Sequence, residues 1–189
     1  MLHHASIRTA DIHRAMAFYE RLGFEVRERF TTGMTLACWM EGLGGRIELI
    51  QIPEPHPAAD AFHDEHYTGY YHLSFDLTDR VESLPRWLAD LRQAFGAGAS
   101  ATPSTPELTT PSTPPSAMGS AADSTTESTT GSATEVAPDR EATAAGMLRV
   151  LLDPQQQIIG DRVYEVAFLA DADGLPLEFI RVLGYVHTP

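Results

Sequence analysis

The chain states one pattern twice, and each statement carries a histidine and a glutamate. Near its start it reads His4-Ala5-Ser6-Ile7-Arg8-Thr9-Ala10-Asp11, and later it reads His72-Leu73-Ser74-Phe75-Asp76-Leu77-Thr78-Asp79. His, Ser, an apolar residue and Asp fall at identical offsets. A second pair of segments also matches: Gly44-Gly45-Arg46-Ile47-Glu48-Leu49-Ile50-Gln51-Ile52 against Gly174-Leu175-Pro176-Leu177-Glu178-Phe179-Ile180-Arg181-Val182. A duplicated chain of 189 residues fits two small modules sharing a core. One imidazole and one carboxylate per copy suggest four ligands around one divalent metal ion.

Strand parity gives the repeat its chemical content. Successive side chains of a strand point to opposite faces, so His4, Ser6 and Arg8 share one face, as do His72, Ser74 and Asp76. Arg46, Glu48, Ile50 and Ile52 share a face of the closing strand. Small sheets curled with these faces inward would bring together neutral imidazoles and carboxylates, a donor set that suits Zn, Ni, Co or Fe. His3 rivals His4, but the spacing to Asp11 and the match to His72 select His4.

The order of elements is the same in both copies. In the first, His4 to Thr9 alternates as a strand. Asp11 then caps a helix whose Ala15, Phe18, Tyr19 and Leu22 recur at helical spacing until Gly23 closes it. Phe24 to Phe30, Thr35 to Met40 and Arg46 to Ile52 read as three strands. In the second, Tyr71 to Leu77 is a strand, and Leu84, Trp87, Leu88 and Leu91 mark a helix. Arg149 to Leu152, Arg162 to Ala170 and Leu175 to Leu183 are the remaining strands, with Asp171-Ala172-Asp173-Gly174 as a tight turn. Pro176 implies an edge strand or a missing ladder bond. The expected fold is α+β, two βαβββ modules over residues 1–53 and over 71–95 with 146–185, joined by a linker at 54–70.

Residues 96–145 interrupt the second copy. They are nearly all Ala, Ser, Thr, Pro and Gly without one aromatic, so they cannot bury enough apolar surface to offset the entropy of ordering, and a disordered insertion is expected. The tract holds six acidic residues (Glu107, Asp123, Glu127, Glu135, Asp139, Glu141) against Arg140 alone. It therefore carries five of the net negative charges, and the folded part is less acidic than the formal −13 of the whole chain. That balance argues against nucleic acid and anionic membrane as partners, because phosphate binding is driven by Lys and Arg. A small-molecule substrate is the expected partner. Cys38 is the only cysteine, which excludes an intrachain disulfide and suggests a buried strand residue in a reducing, cytoplasmic setting. No apolar run is long enough to span a bilayer.

Several of these segments together carry a resemblance. His4-Ala-Ser-Ile-Arg8-Thr-Ala-Asp11 followed by Ala17-Phe18-Tyr19-Glu20-Arg21-Leu22-Gly23-Phe24, Arg46-Ile47-Glu48-Leu49, Tyr71-His72-Leu73-Ser74 and Asp171 through Ile180 resemble the vicinal oxygen chelate superfamily, and within it glyoxalase I, or lactoylglutathione lyase. The resemblance implies paired βαβββ modules and a divalent metal, Zn or Ni first and Co, Mn or Fe as alternatives, on His4, Glu48, His72 and Glu178. It implies a reaction in which the hemithioacetal of a 2-oxoaldehyde and a thiol becomes a 2-hydroxyacid thioester through a metal-stabilised enediolate, as in methylglyoxal detoxification. Glu178 is then the leading base, with Glu48 a ligand and second base. Arg8 matches a position that holds a glutathione carboxylate. Ile52 stands where glyoxalase I usually has Asn, and no Arg precedes His72, so the thiol is left open.

Duller readings compete at each position. The histidines taken singly are structural more often than ligating. His56, His63 and His66 with Asp60, Asp64 and Glu65 form a rival cluster, read instead as a mobile, solvated linker. Phe18 and Tyr19 read as core; Trp39, Phe62, Tyr70 and Tyr71 suit a cavity wall or interior packing equally. His4, His72 and Glu178 also resemble the two-histidine, one-carboxylate iron site of extradiol dioxygenases. A metal-free sequestering protein of the bleomycin-resistance type is the non-enzyme alternative. The sequence leaves open whether the modules pair within one chain or across a homodimer.

Overall fold

A computed structural model describes residues 2–98 and 148–186. The element order is strand, helix and three strands, twice over. The first module holds β1 (Ala5–Thr9), α1 (Ile12–Arg21), β2 (Glu25–Thr32), β3 (Thr35–Gly42) and β4 (Gly45–Gln51). The second holds β5 (Leu73–Asp76), α2 (Leu84–Gly98), β6 (Arg149–Ile159), β7 (Arg162–Ala170) and β8 (Pro176–Tyr185). Two four-stranded mixed sheets result, ordered β1-β4-β3-β2 and β5-β8-β7-β6. In each, the first strand runs parallel to the last, at the register Ser6 to Glu48 and Ser74 to Glu178. The duplicated α+β architecture expected from the repeat is present.

Local chemistry explains how α1 is delimited. The Asp11 carboxylate accepts from the N–H groups of His13 (2.9 Å) and Arg14 (3.1 Å), satisfying two donors that the first turn leaves free. At the other end Gly23 takes φ +95°. The Gly23 N–H donates to the Glu20 carbonyl and the Phe24 N–H to the Tyr19 carbonyl, each at 3.0 Å, which closes the helix and turns the chain into β2. Phe24 is thereby pressed against the end of β3. A Cβ added at Gly42 would lie 2.6 Å from Phe24 Cγ, 2.7 Å from Phe24 Cα and 2.9 Å from the Gly23 carbonyl oxygen. Two of those three atoms are backbone and cannot swing aside. Gly42→Ala is therefore expected to cost about 2–3 kcal/mol through overpacking, read as a lower midpoint in urea; an unchanged midpoint would contradict this packing.

Each sheet buries its helix-bearing face, and the two faces share one core. Ile7, Leu49, Phe18 and Phe24 of the first module join Phe75, Leu77, Phe95 and Phe179 of the second in a single apolar cluster. Aromatic contacts cross between the modules, with ring centroids 5.4 Å apart for Phe18 and Phe95 and 5.6 Å for Phe24 and Phe75. Phe18 and Tyr19 are core, as read from their spacing, and Cys38 is fully buried on β3. Burial pushes its thiol pKa up, which keeps it protonated and inert. The opposite faces of β1, β4, β5 and β8, with Ser6, Arg8 and Ser74 exposed, lie outside this core.

Two seams join the modules, and they differ. At one, the Asp173 carboxylate in the β7–β8 turn accepts from the Thr9 hydroxyl (2.5 Å), the Ala10 N–H (3.2 Å) and Arg14 (2.8 Å). Beside it, buried Asp171 accepts from the Tyr19 hydroxyl (3.0 Å) and from the N–H groups of Asp173 and Leu175 (2.9 and 2.8 Å). The repeat places Leu43 and Gly44, in the β3–β4 turn, at the equivalent of Asp173 and Gly174. There the turn borders a cleft of about 530 Å³ shared with Asp76, Asp79 and Arg80.

Some boundaries differ from the sequence reading. The helix α2 runs to Gly98, so the insertion expected at 96–145 begins later; its remainder lies outside the described residues. Strand β6 continues past Leu152 to Ile159, accommodating Pro154 with register shifts after Val150 and Leu152. Pro176 marks no edge, since β8 lies between β5 and β7. As the first residue of β8, opposite Ala170 and one residue before the pairing with β5 begins at Leu177, it needs no N–H on that side. Among the described residues no helix is long and apolar enough to cross a membrane.

Candidate functional site

Parity and parallel pairing produce two matched His–Glu pairs. His4 stands one residue before β1, and the Ser6–Glu48 register puts the Glu48 carboxylate beside it, with Nε2 to Oε2 at 3.4 Å. His72 stands just before β5, and Nε2 lies 3.2 Å from Glu178 Oε2. Both carboxylates are mostly buried, with side-chain exposures of 15% and 16%. Arg8 is exposed on the same face as His4, and its guanidinium has no hydrogen-bond or ion-pair partner among the described residues.

The surroundings match position by position. Trp39 on β3 is the cross-strand neighbour of Glu48, and Phe168 on β7 that of Glu178. His4 lies 6.2 Å from Trp39 and His72 lies 5.2 Å from Phe168, centroid to centroid. The preceding residues, His3 and Tyr71, sit 5.0 and 4.6 Å from their histidines. Each pair thus has an aromatic wall supplied by the adjoining hairpin.

The chemistry of the two walls is not alike. His3 and His4 share a hydrogen bond between Nδ1 atoms at 2.7 Å, and His3 Nε2 lies 3.1 Å from Arg46 Nη1. Arg46 also pairs with Glu41 and stands 5.5 Å over Trp39. Hydrogen bonding from Arg46 holds the Glu41 carboxyl below its usual pKa. At the second pair His72 Nδ1 is buried without a hydrogen-bond partner. The Tyr71 hydroxyl is held above its usual pKa by burial and, secondarily, by the Glu178 charge.

The donor set fits a divalent cation. Imidazole nitrogen and carboxylate oxygen bind Zn²⁺ at about 2.0–2.2 Å, so two such donors at an ordinary ligand angle stand about 3.0–3.4 Å apart. Both pairs have that spacing. The expected gathering of all four residues is not made within one chain: among the described residues no three His, Cys, Asp or Glu side chains converge where a metal ion could be held. The physical reason is the shared core, which occupies the helix side of both sheets and leaves the His–Glu faces on its outside.

Other candidates resolve differently. His63 Nδ1 contacts Asp60 Oδ1 at 3.0 Å, but His56 and His66 are exposed and the rival cluster does not assemble. Tyr70 is exposed, whereas Phe62 is half-buried against Phe168 at 5.2 Å, so the connection is packed at that point and not a free solvated linker. Phe168 was missed in the sequence. Counting residues backward through the Asp171–Gly174 turn would have placed it opposite Glu178.

Comparison with known proteins gives a family and a fold. Residues 3–103, which include His4, Glu48 and His72, match the family model described as Glyoxalase/Bleomycin resistance protein/Dioxygenase superfamily. No curated protein matches. Among solved structures, a protein designated SMU.1112c is 16% identical with a TM-score of 0.54, over 96% of this chain and 98% of that one. A glyoxalase family protein from Enterococcus faecalis is 14% identical with a TM-score of 0.52, over 96% and 97%. A glyoxalase I mutant from Zea mays is 13% identical with a TM-score of 0.51, over 95% of this chain and 44% of that one.

Proposed function

The chain belongs to the Glyoxalase/Bleomycin resistance protein/Dioxygenase superfamily, and from that membership we propose a glyoxalase I-like activity of the lactoylglutathione lyase type. The substrate is the adduct of a 2-oxoaldehyde and a thiol, and the product is a 2-hydroxyacid thioester. The observation that carries the reading is the matched pair of His–Glu contacts, 3.4 and 3.2 Å, at equivalent register in the two modules.

One chain supplies two half-sites, so a second copy completes each centre: His4 and Glu48 of one copy face His72 and Glu178 of the other, in a two-fold homodimer. A divalent metal held by these four, Zn or Ni in the first place, would supply Lewis-acid stabilisation of charge on adjacent oxygens. The residues do the rest. Glu178 takes the proton from the carbon that bears sulfur and hydroxyl and returns it to the neighbouring carbonyl carbon, while the hydroxyl proton passes to the oxygen on that neighbouring carbon; every atom is kept and the isomerisation needs no outside oxidant. The neutral Tyr71 hydroxyl beside Glu178 offers a donor to a substrate oxygen. Arg8, exposed and unpaired on the ligand face, receives a carboxylate of the thiol, for which glutathione is the natural candidate.

Mixing two inactive variants tests the reading. Glu48→Gln and Glu178→Gln are each expected to lose thioester formation from methylglyoxal and glutathione. After co-refolding, half of the dimers are mixed and each has one intact centre, so about a quarter of the unaltered activity should return. No recovery from folded, mixed dimers would rule out a centre shared between copies. Absence of both bound metal and thioester formation in the unaltered protein would overturn the lyase itself and favour ligand sequestration.

A further inference from the structure

Resting on the reading above, we propose that Phe62, carried by the connection between the modules, is a specificity-determining residue, and that the site takes substrates whose adjacent oxygens are flanked by an aromatic substituent. Phe62 belongs to neither copy of the repeat. Its backbone is fixed in a turn in which the Asp60 carbonyl accepts from the N–H groups of His63 (3.3 Å) and Asp64 (3.1 Å). Its ring packs on Phe168 at 5.2 Å and lies within 25° of parallel to Tyr71 at 6.4 Å. Tyr71 and Phe168 in turn flank His72 at 4.6 and 5.2 Å. Three rings therefore form one wall beside the His72–Glu178 pair.

That wall carries no cation, whereas its counterpart sets the Trp39 ring against His3 and under Arg46. Positions equivalent to His3 and Arg46 in the first half-site hold Tyr71 and Pro176 in the second. A ligand spanning both halves meets Trp39 capped by a guanidinium and flanked by imidazole on one side, and three uncharged rings on the other. Tyr71 leaves 41% of its surface exposed beside the Glu178 carboxylate. An aromatic ring laid there removes apolar surface from water and gains offset or edge-on contacts that a methyl group cannot make.

Two small hydroxamates test this without turnover, because both present adjacent oxygens and differ only in phenyl against methyl. With the metal-supplemented full chain, benzohydroxamate is expected to bind about tenfold tighter than acetohydroxamate, the difference of one well-placed aromatic contact. Phe62→Ala should shrink that ratio to about twofold, and Phe62→Leu to an intermediate value, with acetohydroxamate binding unchanged as the control for folding. Equal binding of the two probes, binding of neither, or a ratio indifferent to Phe62 would overturn the proposal. Conversion of the methylglyoxal–glutathione adduct, assayed separately, judges the lyase reading: turnover without phenyl preference sinks the subsite alone, and phenyl preference without turnover sinks the lyase alone.

Discussion

Glu178→Gln is expected to lower kcat for the methylglyoxal–glutathione adduct by about a thousand-fold, within the range that removal of a general base costs, while KM changes little. The substitution is nearly isosteric and leaves the backbone of β8 paired to Ser74 and Phe168, so the loss is one of chemistry and not of folding. A spectroscopic readout accompanies it. Burial is the larger cause holding the Tyr71 phenol above its usual pKa and the Glu178 charge the smaller; the neutral amide removes only the second, so Tyr71 should titrate somewhat closer to an ordinary phenol. A Glu178→Gln enzyme with an unchanged kcat would remove Glu178 from the role of base.

Asp171→Ala is expected to be the most destabilising single change in the described core, by about 3–5 kcal/mol. It strands three donors at once, the Tyr19 hydroxyl and the N–H groups of Asp173 and Leu175, and an unsatisfied buried polar group costs about 1–3 kcal/mol. Asp171→Asn keeps an oxygen for the two N–H groups and offers its amide N–H to the Tyr19 oxygen, so it should fall within about 1 kcal/mol of the unaltered protein. The pair also separates charge from hydrogen bonding. Burial raises the Asp171 pKa from 3.8 to about 6, overcoming the opposite pull of its backbone donors. The fold therefore prefers the neutral carboxyl. Its contribution is complete below about pH 4 and is lost as pH rises through about 6, a span worth about 3 kcal/mol. Urea unfolding should show this component of stability falling between about pH 4 and pH 6 in the unaltered protein, and the asparagine variant should lack it. An alanine variant as stable as the parent, or an asparagine variant with the same pH slope, would contradict the account.

The sequence made the architecture legible because the duplicated motif and strand parity both act over short distances. Asp11 and Gly23 delimit α1 through local hydrogen bonds, and residues two apart on β1 or β4 share a face whatever the rest of the chain does. The two His–Glu pairs follow from one parallel register each. Longer-range features were not readable in the same way. The burial of Asp171 against Tyr19 joins positions 152 residues apart, and the turn residues that make it possible read only as a tight turn. Phe62 gave no periodic signal because it lies in no helix or strand. Pro176 suggested either an edge or a missing ladder bond, and choosing the second needed the position of β5, whose pairing begins one residue later. The four candidate ligand residues were expected together, but their union depends on which faces of the modules meet, and the shared apolar core occupies the helix side of both sheets.

The unequal seams have a mechanical consequence. A duplicated molecule fastened alike at both ends would open symmetrically, each half swinging out by the same amount. Here the Asp171–Asp173 end is tied by a mesh of directed bonds, whereas the Leu43–Gly44 end borders an open cleft. Any rocking of one half against the other must therefore pivot about the tied corner, moving the His72–Glu178 strand ends least and the β3–β4 tip most.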